Sequence, residues 1–85
     1  MEREYVSAVT EFYEYYDKLK GVVHCRMNSH FSIYDDDYLE VWQYEGAKKT
    51  RLLFRINTQK KDNQSVAETY RRATEAVKQL LKEVG

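Results

Sequence analysis

Hydrophobic side chains recur along this chain with two different periods, and the change of period divides it into helices and strands. Between residues 4 and 20, Tyr5, Val9, Phe12, Tyr16 and Leu19 return at helical spacing, while Arg3, Ser7, Thr10, Glu11, Glu14, Asp17 and Lys18 fall on the opposite arc. Such a segment predicts an amphipathic helix ending near residue 20. Glu2 and Glu4 complement its N-terminal dipole, Lys18 and Lys20 its C-terminal one, and Gly21 is placed to act as a left-handed C-cap. At the other end, Ser65 and Glu68 have the spacing of a capping box. They precede Val66, Tyr70, Ala73, Val77, Leu80, Leu81 and Val84, which form one apolar face. A second amphipathic helix of about 19 residues is therefore expected.

Between the helices the period falls to two. Val23, Cys25 and Met27, then Phe31 and Ile33, then Leu39 and Val41, then Leu52, Phe54 and Ile56 alternate with polar or aromatic neighbours. Four short strands are predicted, with turns at Asn28-Ser29-His30, Asp35-Asp36-Asp37 and Gly46-Ala47-Lys48-Lys49. Residues directly opposite in a hairpin share a face, so register can be tested on the sequence. Pairing Val41 with Phe54 and Leu39 with Ile56 brings Glu40 opposite Arg55, Trp42 opposite Leu53 and Tyr44 opposite Arg51. Pairing Ile33 with Leu39 brings Tyr34 opposite Tyr38 and Ser32 opposite Glu40. The expected architecture is α+β, in the order α-β-β-β-β-α. An antiparallel meander carries the N- and C-terminal helices on one face. The alternative is that Val22 to Met27 form an irregular link into a three-stranded sheet.

Packing both helices on one face leaves the other open. Alternation puts His24, Arg26, Ser32, Tyr34, Tyr38, Glu40, Trp42, Tyr44, Arg51, Leu53 and Arg55 there. Aromatic residues and arginine are enriched at binding hot spots, because they combine rigid contact area with a polar tip or a planar fork of donors. Tyr34, Tyr38, Trp42, Tyr44, Arg51 and Arg55 are therefore the candidate partner-binding residues. The same positions also have purely structural readings: Glu40 pairs with Arg55, Tyr44 takes a cation-π contact from Arg51 and Trp42 covers Leu53, or else a helix or a symmetry-related sheet, as in a homodimer, covers the face. In the first helix, Tyr13 and Tyr15 are expected at the edges of the buried stripe with their hydroxyls in water.

Charge sharpens this picture. The 85 residues are formally neutral. Yet residues 1–45 hold ten acidic against four basic side chains, and residues 46–85 reverse those numbers. Either the halves neutralise each other in the fold, or a charged surface is left for a partner. Lys48, Lys49, Arg51, Lys60 and Lys61 are the candidates for phosphate contacts in a nucleic-acid module whose aromatics stack on bases. The two lysine pairs lie at opposite ends of one strand, however, and the Asp35-Asp36-Asp37 turn and the Glu11, Glu14, Asp17 face repel a polyanion. On the last helix, Glu68 with Arg72, and Glu75 with Arg71 or Lys78, have the spacing of local pairs.

The α-β-β-β-α part of the order resembles double-stranded RNA-binding domains in topology. The motif residues depart from that family. Lys60 and Lys61 precede Ser65, Val66 and Ala67 open the last helix, and the chain has no proline for a glycine-proline-histidine loop. No function is carried over from that likeness.

Enzymatic chemistry finds little support. His24 and Cys25 are neighbours on a strand and point to opposite faces, so they do not form a nucleophile and base pair. Cys25 is expected in the core. One cysteine, two histidines and a turn aspartate lack any zinc spacing, and the aspartate run lacks the glycine and bidentate glutamate of a calcium loop. No cofactor fingerprint is present. One cysteine cannot form an internal disulfide, and no apolar run approaches membrane-spanning length, so a cytoplasmic setting without a membrane partner is expected. These features converge on one small globular domain, residues 1–85. It would be a non-catalytic protein-interaction module, an adaptor or inhibitor of the size a phage or mobile element encodes. It would use the aromatic and arginine sheet face or the acidic first helix. The alternative is a nucleic-acid-binding module.

Overall fold

The computed structural model describes residues 2–32, 34–59 and 63–84, with side chains placed from residue 5 and, in the last segment, from Ser65. Helix α1 (Glu2–Lys20) leads into strands β1 (Cys25–His30), β2 (Asp37–Glu45) and β3 (Lys48–Thr58), and helix α2 (Asn63–Val84) ends the chain. The strands form one antiparallel sheet in the order β1-β2-β3. The α+β class and the terminal helices are as the periodicity predicts, but the described residues form three strands, not four.

The difference lies between residues 25 and 36. Asn28, Ser29 and His30, expected as a turn, continue β1 and pair with Glu40, Leu39 and Tyr38 of β2. These partners replace the expected pairings of Leu39 with Ile33, Tyr38 with Tyr34 and Glu40 with Ser32. Phe31 and Ser32 lie beyond the strand, and Ile33 falls outside the described residues. Asp37, expected in a turn, opens β2 and is buried. Its carboxylate accepts a hydrogen bond from the Ser65 hydroxyl at 2.6 Å and from the Ser32 amide at 3.4 Å. Ser65 is therefore not the N-cap: α2 already begins at Asn63, and the serine ties the helix to the sheet. Thr69 extends this polar seam, lying 2.6 Å from the Thr58 hydroxyl and 2.7 Å from the Ser65 carbonyl.

The core explains the layering. Phe12, Tyr16 and Leu19 of α1, Tyr70, Ala73 and Val77 of α2, and Cys25, Leu39 and Val41 of the sheet are buried together. Phe12 stacks on Tyr16 and meets Tyr70 edge-on, each with ring centroids 5.4 Å apart. Tyr13 is at the rim, and Tyr15 is partly buried against the core. Cys25, Leu39 and Val41 share one side of the sheet, so both helices cover that side alone. The acidic and basic halves of the chain meet where Glu40 pairs with Arg55 at 2.8 Å and Glu11 with Lys78 at 3.9 Å. Lys78 also pairs with Glu75, whereas Arg72 donates to the Asn57 carbonyl.

Gly46 has φ of +62°, and no non-glycine residue described has positive φ. Glycine first in a two-residue hairpin loop is the type II′ arrangement, which follows the sheet's twist. Gly21, by contrast, does not take the left-handed conformation expected of a C-cap. Its amide reaches the Asp17 and Lys18 carbonyls, and the Val22 and Val23 amides both reach Leu19, so α1 ends by tightening its last turn.

Candidate functional site

The open side of the sheet is organised by one buried carboxylate. Glu40 stands mid-strand on β2 with only 6% of its surface exposed, although no helix covers it. Arg55 donates to one of its oxygens at 2.8 Å and Asn28 to the other at 3.2 Å, each from a flanking strand. Burial alone pushes the Glu40 carboxyl upward. The donors from Trp42, Asn28 and Arg55 outweigh it and hold the pKa below the ordinary 4.5. The Trp42 indole N–H is sealed from solvent and directed near this carboxylate, without reaching the geometry of a formed hydrogen bond.

Around Glu40 each aromatic ring carries a cation. Arg55 lies 4.2 Å above the Tyr38 ring, Lys49 4.8 Å above Trp42 and Arg26 4.9 Å above Tyr44. Rings attract cations through their negative faces, and a cation held this way loses less freedom when it later meets an anion. Histidines close both ends. His30 stacks on Tyr38 at 5.5 Å and approaches Asp35 at 3.6 Å. His24 meets Tyr44 edge-on, and its Nε2 lies 3.1 Å from the Gly46 carbonyl. An open depression of about 350 Å³ lies at the turn end, lined by His30, Asp35, Asp36, Tyr38, Arg55 and Asn57.

Two β-bulges decide which residues of β3 reach this side. Phe54 pairs with Val41, and Ile56 with Leu39, but Trp42 then faces Leu52 and Tyr44 faces Lys49. Leu53 and Thr50 are the extra residues on β3. The expected pairings of Trp42 with Leu53 and Tyr44 with Arg51 are thus corrected. Leu53 packs against the core, Leu52 is exposed beside Trp42, and Lys49 takes the place expected for Arg51.

Of the six residues singled out from the sequence, Tyr38, Trp42, Tyr44 and Arg55 come together on the open side. Tyr34 sits in the β1-β2 connection with 85% of its surface exposed. Arg51 is opposite Gln43, itself opposite the core residue Cys25, and so alternates to the other side. Of the candidate phosphate contacts, Lys48 is opposite Glu45 at the hairpin, Lys49 rides on Trp42, and Lys60 and Lys61 lie outside the described residues. Sequence reasoning missed Lys49 and Leu52 as members of the face. The signal was the unalternating run Leu52-Leu53-Phe54, which a regular strand buried on one side does not carry.

Other reactive groups are placed quietly. Cys25 is a free thiol in the core, and burial pushes its pKa up, away from nucleophilic use. Among the described residues no group of three or more histidine, cysteine or carboxylate side chains is placed to hold a metal ion, and no helix is long and apolar enough to cross a membrane. No protein-family model, curated protein or solved structure matches the chain.

Proposed function

We propose that the protein is a non-catalytic interaction module, an adaptor or inhibitor, that engages a partner protein through the open side of its sheet. The observation that carries this reading is the set of three ring-seated cations, Arg26, Lys49 and Arg55, on a side that neither helix covers. Aromatic and arginine side chains fixed in place supply contact area and directed donors at little entropic cost, as hot-spot residues do. The buried Glu40 network holds the platform rigid from beneath.

The same observation argues against nucleic acid as the partner. Base stacking needs bare ring faces, and here the Tyr38, Trp42 and Tyr44 faces each hold a cation. Asp35 and Asp36 stand at the turn end of the surface, where they repel a polyanion that runs along it.

Photo-crosslinking tests the proposal. With benzoylphenylalanine at Leu52, on the open side, cell lysate should give a discrete protein adduct. The same probe at the exposed Glu83 of α2 should give none. Adducts to nucleic acid alone, or equal labelling from both positions, would overturn the reading.

A further inference from the structure

Resting on the sheet-face reading, we infer that the hairpin end of that face docks an acidic polypeptide segment of the partner, with an apolar side chain lying between its carboxylates. The two ends of the face differ in how their cations are employed. At the turn end, Arg55 is consumed by Glu40, by Asn57 at 2.9 Å and by the Tyr38 ring. At the hairpin end, Arg26 and Lys49 rest on Tyr44 and Trp42, and among the described residues neither is within ion-pair distance of a carboxylate. Their N–H donors are oriented and unspent. Beside them Leu52, 40% exposed, stands next to Trp42, whose ring Lys49 overlies, and offers the apolar contact. An apolar centre with a charged rim is the anatomy of a protein docking site, and the sign of the rim selects carboxylates.

A second copy of the chain fits this end less well. Face-to-face pairing about a two-fold axis along the strands brings Arg26 and Lys49 towards the same cations of the copy, and like charges repel; an axis across the strands sets the Asp35-Asp36 end of the copy there, which is the self-association that sedimentation tests. Nucleic acid is disfavoured by the occupied rings, as above. The bulges give the arrangement its reason: without the extra residues Leu53 and Thr50, neither Leu52 nor Lys49 would reach Trp42.

Trp42, the only tryptophan, reports on the site directly. Its fluorescence is to be followed in the full chain during titration with a glutamate-tyrosine copolymer, excited where tyrosine does not absorb, with polylysine and poly(dT) in parallel. A saturable change with the acidic copolymer alone is expected. It should weaken by about tenfold or more in R26E/K49E, checked for folding by circular dichroism, and fade as salt rises. Should the double variant not fold, Lys49→Gln and the salt series carry the same test. Equal binding by the charge variants, a response to poly(dT) only, or self-association through this face in sedimentation would overturn the inference. A response to polylysine but not to the acidic copolymer would overturn the acidic occupant and leave the sheet-face reading standing. A Trp42 signal unmoved by every polymer would overturn the inference, with the Leu52 crosslink deciding the reading separately.

Discussion

The two sides of this sheet are built from the same three strands and are held by opposite means. On the helix side Cys25, Leu39 and Val41 disappear beneath Phe12, Leu19 and Val77, so that side is fixed by burial of apolar surface. On the open side Glu40 is just as inaccessible, yet what surrounds it is Arg55, Asn28 and Trp42. That side is fixed by charge-assisted hydrogen bonds and by cations lying on rings. Both Glu40 oxygens are engaged, whereas Arg26 and Lys49 at the hairpin end meet no carboxylate among the described residues.

If the sides differ in this way, substitutions should separate them. The largest loss is expected at Phe12→Ala, which empties a fully buried position and should cost about 3–5 kcal/mol in urea unfolding. Leu52→Ala, the apolar residue of the open side, should cost well under about 1 kcal/mol. Glu40→Gln comes next, at about 1–3 kcal/mol, because Arg55 keeps its charge and loses its partner. A carboxyl with a lowered folded pKa contributes stability that is fully present above its unfolded value and is lost as pH falls through the folded one. The acid limb of the wild-type melting curve should therefore be shallower in Glu40→Gln. Gly46→Ala should cost about 1 kcal/mol through its positive φ alone, since no atom lies within 4 Å of an added Cβ. Arg26→Glu with Lys49→Glu should cost about 1 kcal/mol, from two exposed cation-π contacts at about 0.5 kcal/mol each, while weakening binding by about tenfold or more. The smallest effect is spectroscopic: burial pushes the Tyr16 and Tyr70 phenols up to about 12. Alkaline difference spectra should show these helix-side tyrosines ionising late.

The helix side was legible in the sequence because burial writes periodicity. Phe12, Tyr16 and Leu19, Ala73 and Val77, and Leu39 and Val41 announce their elements and the register of Val41 with Phe54. β1 was obscured because Asn28, Ser29 and His30 have turn-like character, and only pairing to Glu40, Leu39 and Tyr38 makes them strand. Ser65 offered a capping pattern that tertiary contact with Asp37 overrode. The open side was legible in composition but not in arrangement. Tyr38, Trp42, Tyr44 and Arg55 follow from alternation, whereas the seating of Arg26 on Tyr44 and Lys49 on Trp42 depends on two bulges and on contacts remote in sequence.

The central claim is that the open side, not either helix, receives the partner. It is tested most directly by amide and indole chemical shifts of the isotope-labelled full chain during titration with the glutamate-tyrosine copolymer. Trp42 supplies a single indole N–H resonance at the centre of the suspected surface. This resonance is expected to move together with the amides of Arg26, Tyr44 and Lys49, while those along α1 and α2 stay in place. Shifts concentrated on the helices with the Trp42 indole unmoved would contradict it.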